Sequence, residues 1–147
     1  MNTSRDAISA LILSYAEMLD LGDFAGVARL FTHATYRTQG RSPHRGAEAV
    51  QAALDSMVAV YGGIPRTKHV TTNTIIEIDE TRGHATARSY FSVLQATESL
   101  PLQPIIAGRY HDTFECVEGV WRFNDRLIVI DLVGNLRYHL KQRLTGD

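Results

Sequence analysis

The stretch Thr67-Lys68-His69-Val70-Thr71-Thr72-Asn73-Thr74-Ile75-Ile76-Glu77-Ile78 decides how this chain is read. It is dense in β-branched residues, which are stiff at χ1 and pack well on a pleated surface. A histidine stands near its start, and Asn73 has the same parity. Both fall on one face of a strand unless a bulge lies between them, since side chains alternate sides with a period of two. The stretch reads as a strand with a polar entrance, running from about residue 68 to 79.

Downstream the chain stays extended. Segments of about 83–95, 104–117 and 120–132 read as further strands, with turns at Glu80-Thr81-Arg82-Gly83 and Glu118-Gly119. Tight turns make antiparallel hairpins. Strands this long exceed the usual length, so a strongly curved sheet with bulges is expected. The link from Ala96 to Pro104 holds two prolines and exposed-looking leucines, the composition of a loop that rims a site. Asn135 is placed to cap a last short helix carrying Leu136, Leu140 and Leu144 on one side.

Upstream the period changes to that of helices. From Ser4, a capping residue, to Asp20, the residues Ile8, Leu11, Ile12, Tyr15 and Leu19 fall on one face. Gly22 suits the left-handed position that ends a helix, and Asp23 caps a second helix over 24–31. Residues 34–38 read as a short strand and 39–46 as a polar loop. A third helix covers about 47–61, with Val50, Ala53, Leu54, Met57 and Val58 on its buried side. Helices followed by antiparallel strands make an α+β protein. A curved sheet cannot cover its own concave face. The helices must pack there, leaving a hollow at the open end as the expected ligand site. One domain over residues 1–147 is the expectation for this length.

Composition narrows the function. Hydrophobic residues make up 44% and charged residues 21%, with a formal net charge of -1. No basic field points to nucleic acid and no polybasic run to anionic lipid. One cysteine, Cys116, excludes an internal disulfide and fits a reducing compartment. The start lacks a signal-peptide layout and no apolar run reaches the roughly 20 residues of a membrane span. A cytoplasmic location follows as the expectation. Of the six histidines, none forms an i, i+4 pair around a glutamate, and there is no Cys–His cluster. Neither a phosphate loop nor a dinucleotide fingerprint is present. No metal and no cofactor are expected.

Read alone, the chemical candidates stay open. Asp20 ends the first helix, where the dipole disfavours a carboxylate by roughly 0.3–1 kcal/mol. It is either solvated or compensated by a partner. His69 is either a satisfied strand residue or a base, and an imidazole titrating near about 6.5 suits the second role. Tyr15 and Tyr36 are candidate hydrogen-bond donors, Tyr15 also a core residue. Arg126 lies on an apolar strand, placed either to neutralise an anion or to pair with Asp112. Asp112 shares parity with Tyr110 and Phe114.

The order of these pieces resembles the SnoaL-like branch of the nuclear-transport-factor-two-like superfamily. The matching residues are Tyr15 to Asp20, Gly22-Asp23-Phe24, Leu30-Phe31, Lys68 to Asn73, Gly108 to Asp112, Trp121-Arg122-Phe123, Arg126 and Asp131 to Gly134. The resemblance implies a cone-shaped α+β barrel with the helices inside the curved sheet. The family includes scytalone dehydratase, ketosteroid isomerases, a hexachlorocyclohexane dehydrochlorinase, polyketide cyclases and non-catalytic subunits of dioxygenases. In the dehydratase and dehydrochlorinase, an aspartate at this helix end pairs with a histidine at the start of this strand. The resemblance thus casts His69 as base and Asp20 as its orienting partner. Tyr15, Tyr36, Asn73, Asp112 and Arg126 become possible supporting residues. Asp112 is comparable to the protonated aspartate of ketosteroid isomerases. Two features depart from scytalone dehydratase. Leu19 stands where it has a tyrosine, and Ser89-Tyr90-Phe91 stands where its second catalytic histidine falls.

Three functions follow from the resemblance. One is a cofactor-free lyase or isomerase on a small, largely apolar aromatic, steroid- or polyketide-like ligand. Another is a non-catalytic binding or assembly module. The last is a polyketide cyclase with aspartate as base. Self-association as a dimer or trimer is expected, with neither nucleic acid nor membrane as partner.

Overall fold

Helix α1 (Ser4–Leu21) is capped by Thr3, one residue earlier than expected. The Thr3 hydroxyl accepts from the Asp6 N–H, and the Asp6 carboxylate accepts from the Thr3 N–H, a reciprocal capping box. Gly22, at φ 75°, ends α1 in the left-handed region. A Cβ there would lie 2.1 Å from the Gly63 carbonyl oxygen, so the position also needs glycine for space. Asp23 then caps α2 (Phe24–Leu30) by accepting from the Gly26 N–H. The computed structural model describes residues 2–142 of the chain.

The strands are β1 (Thr35–Thr38), β2 (His44–Arg45), β3 (Thr67–Asp79), β4 (His84–Gln95), β5 (Gln103–Val117) and β6 (Val120–Val133). Helix α3 (Ala47–Met57) lies between β2 and β3. All six strands form one sheet in the order β2-β1-β6-β5-β4-β3. The pairing is antiparallel except for β1 against β6, which is parallel. Register shifts interrupt the ladders at Thr72/Ile75, Val93/Leu94, Ala107/Gly108 and Thr113/Phe114. Each shift adds local twist, and together they curl the sheet. At Gly108 a Cβ would stand 2.0 Å from the Val129 carbonyl oxygen, so the bend there requires a residue without one.

The core fills the concave side. Ile8, Ile12, Tyr15 and Leu19 of α1 pack with Val27, Phe31, Val50 and Leu54 against Phe91, Tyr110, Phe114 and Phe123 of the sheet. Burying each large apolar side chain contributes about 1.5–3 kcal/mol.

Three local expectations are corrected. Helix α3 ends at Met57, not Tyr61, because Val58 turns extended and bridges to Leu140. The helix expected from Asn135 does not form over 135–142. The Ala59 N–H donates to the His139 carbonyl and the Lys141 N–H to the Met57 carbonyl, so this segment spends its backbone groups on 57–59. Leu144 lies outside the described residues. The link after β4 does not rim the hollow either: Leu100 is buried in the core, while Leu102 faces away at 73% exposure.

Candidate active site

Asp20 occupies the last turn of α1, and α1 packs across the start of β3. This brings together residues 49 apart in sequence. The His69 ring Nδ1–H donates to Asp20 Oδ1 at 2.6 Å, and the His69 backbone N–H donates to Oδ2 at 2.8 Å. The Thr67 hydroxyl donates to Oδ1 at 2.9 Å. A carboxylate only accepts, so the ring tautomer follows: Nδ1 carries the proton and Nε2 is the free nitrogen. Burial alone would raise the Asp20 pKa. The hydrogen bond and charge of His69, the backbone N–H and Thr67 outweigh it, and the net shift is downward.

His69 lines a cavity of about 110 Å³ on the concave side. Most of its wall is apolar, including Leu54, Met57, Phe91, Val93, Ile106 and Ile128. Tyr15 and Tyr36 also line it, with their hydroxyls 2.8 Å apart. Burial pushes the pKa of both phenols above the usual value, and that of Tyr110 likewise. All three therefore keep their protons at neutral pH, and in the Tyr15–Tyr36 pair one hydroxyl donates to the other, leaving one proton of the pair to donate. On its outer side His69 borders a groove between α1 and β3, lined also by Glu17, Asp20 and Lys68.

The structure adds a residue that the sequence did not flag. His139, from the segment after β6, lines the same cavity, with its ring centroid 6.3 Å from that of His69. It is 9% exposed, and its Nδ1 is buried without a hydrogen-bond partner. Burial lowers its pKa to about 4, the charge of His69 adds to this, and Asp20 offsets only part. The ring is thus neutral at ordinary pH. The segment is fastened by the Tyr61 hydroxyl and Gln95 Nε2, both donating to the Tyr138 carbonyl. No periodicity marks a histidine in an irregular segment, so sequence reading had no signal for it. Thr67 did carry one, since it shares the parity of His69.

The remaining candidates separate. Arg126 donates to both oxygens of Asp112 at 2.8 Å, and both side chains are fully buried. The guanidinium lies 3.8 Å from the Tyr110 ring centroid and 4.2 Å from that of Tyr15. Burial opposes its charge, but Asp112 and the two phenols raise its pKa further still. Neither Arg126 nor Asp112 lines the cavity. Of the two readings left open for Arg126, the structure gives the ion pair. Asp112, bound to a guanidinium, is not placed as a donor to a ligand. Asn73 is also not in the site. It sits at the Thr72/Ile75 bulge with φ 54° and is exposed, because the bulge breaks the alternation that gave it the parity of His69.

Among the described residues, no group of three His, Cys, Asp or Glu side chains is placed to hold a metal ion. Among the same residues, no helix is long and apolar enough to cross a membrane.

Comparison with known proteins gives the arrangement a context. Residues 2–126 match the SnoaL-like domain. No curated protein matches the chain. An NTF2-like protein with a cystatin-like fold from Novosphingobium aromaticivorans superposes with a TM-score of 0.72 at 21% identity, over 86% of this chain and 80% of that one. A candidate scytalone dehydratase from the same organism gives 0.69 at 22%, over 87% and 84%. A variant of Rv3472, a Mycobacterium tuberculosis protein of unknown function, gives 0.72 at 27%, over 86% and 71%. The cone-shaped α+β fold expected from sequence is the fold these structures share.

Proposed function

The chain belongs to the SnoaL-like domain family, and on that premise we propose that it is a lyase or isomerase working by proton abstraction from carbon. The substrate is a small, largely apolar molecule of aromatic, steroid-like or polyketide-like character. The single observation that carries this reading is the 2.6 Å contact from His69 Nδ1 to Asp20 on the wall of an apolar cavity.

The roles follow from that geometry. Asp20, held by three donors, fixes the ring so that Nε2 is the basic nitrogen. His69 Nε2 takes a proton from carbon, and the Asp20 carboxylate stabilises the resulting imidazolium. The electron pair left on carbon expels a leaving group in a lyase, or shifts toward a carbonyl oxygen in an isomerase. Tyr36, backed by Tyr15, and neutral His139 are the donors for that oxygen or leaving group. The chemistry needs no cofactor. Arg126, held by Asp112, packs against the Tyr15 and Tyr110 rings that line the cavity.

Asp20 is poorly suited to act as base itself, as a cyclase would require. It already accepts three hydrogen bonds, and its pKa is lowered. The assembly-module reading has one observation in its favour: Val120, Leu132 and Val133 are exposed at 66%, 69% and 61%. Self-association through such residues is compatible with either role.

Deuterium uptake from D2O into a panel of small aryl and alicyclic ketones, followed by proton NMR, tests the proposal. Protein-dependent exchange that falls by roughly 10²-fold or more in His69→Ala is expected. Exchange no faster than buffer across the panel, or unchanged in His69→Ala, counts against it.

A further inference from the structure

A second space of about 220 Å³ lies under the β1–β2 loop and beside α3. Tyr36, Thr38, Arg41, Leu54 and Met57 line both spaces, and Ser42 and His44 line the second one alone. The site is therefore an apolar chamber with an adjoining space, and the shared Arg41 is joined there by the polar side chains of Ser42 and His44.

An exposed arginine is ordinarily just solvated surface charge. Three observations set Arg41 apart. Neither lining contains an aspartate or glutamate, so its guanidinium is unopposed there. Like Arg5, Arg29, Arg45, Arg66 and Arg137, Arg41 has no carboxylate partner among the described residues, but of these it alone lines the two spaces. Its position is also built: the Arg41 N–H donates to the Thr38 carbonyl at 3.0 Å, and the Gln39 N–H to the Ile128 carbonyl at 2.9 Å. The second of these bonds ties the loop to β6, a wall of the chamber.

We propose that Arg41 is a specificity-determining residue and that the ligand is an apolar ring compound bearing an anionic oxygen group. The ring occupies the chamber beside His69, and the anionic end meets Arg41 where the two spaces adjoin. A guanidinium presents a planar fork of donors that matches a carboxylate. This rests on the preceding reading only in taking an apolar ring as the chamber's occupant.

Calorimetric titration of 2-naphthoate and its uncharged analogue 2-naphthamide tests it, with native protein, Arg41→Gln and Arg41→Lys. Native protein is expected to bind the naphthoate roughly ten-fold tighter than the amide, the size of a charge-assisted hydrogen bond. The preference should vanish in Arg41→Gln and survive in part in Arg41→Lys. Equal binding of the two ligands, or a preference that persists in Arg41→Gln, overturns the assignment and leaves the His69–Asp20 reading intact. Binding of neither at millimolar concentration overturns both the assignment and the apolar-ligand reading.

Discussion

Replacing Asp112 with asparagine strands a buried cation. Arg126 and its partner have no solvent-exposed side-chain surface, so no water can replace the lost charge. Removing one member of such a pair costs about 3–5 kcal/mol. Two features moderate the loss. The asparagine carbonyl still accepts one of the two hydrogen bonds, and the Tyr15 and Tyr110 faces stay 4.2 and 3.8 Å from the guanidinium. Cation–π contacts of this kind hold roughly 0.5–2 kcal/mol. The expected cost of Asp112→Asn is therefore near the lower end, about 3 kcal/mol. That is a large share of the roughly 5–15 kcal/mol that keeps a domain folded. Urea titration followed by far-ultraviolet circular dichroism should show a midpoint lowered by roughly 1–2 M. The double replacement Arg126→Met with Asp112→Leu removes both charges and should return to within about 1 kcal/mol of native. A loss below about 1 kcal/mol for Asp112→Asn alone would refute the claim that this pair is desolvated.

Three further outcomes are expected. His139 has a folded pKa of about 4, below the ordinary 6.5, so the unfolded chain takes up its proton first on acidification. Stability is then full above pH 6.5 and falls by about 3 kcal/mol towards pH 4. His139→Gln should flatten that part of a denaturation-against-pH profile, whereas the lowered carboxyl of Asp20 leaves a further loss at still lower pH. Gly22→Ala forces a Cβ into the Gly63 carbonyl at a left-handed position, and thermal unfolding should show a cost of at least about 1–2 kcal/mol. Tyr36→Phe removes a cavity donor, and deuterium exchange should slow by roughly 10²-fold while naphthamide binding changes little.

The fold was readable because its signals are local and repeated. The β-branched run at 67–78, the 3.6-residue spacing of Ile8, Ile12, Tyr15 and Leu19, and Gly22 each constrain their neighbours directly. Asp20 and His69 are a different matter. Nothing local joins residues 49 apart, and family resemblance supplied the pairing that the helix–strand packing then brings within hydrogen-bond distance. Alternation placed Asp112 inward, but only the strand register sets it opposite Arg126. A single bulge defeated the same reasoning at Asn73. His139 could not be anticipated, because an irregular segment has no period. Its place depends on the non-local bonds that dock residues 138–141 onto 57–61 and Gln95.

Nitrogen-15 NMR of the histidine rings is the most direct probe of the dyad. With the ring neutral, His69 should appear with its proton on Nδ1 and an unprotonated Nε2, and Asp20→Asn should erase that bias. A proton on Nε2, or a spectrum indifferent to Asp20→Asn, would contradict the account, since the nitrogen assigned to receive a substrate proton would not be free.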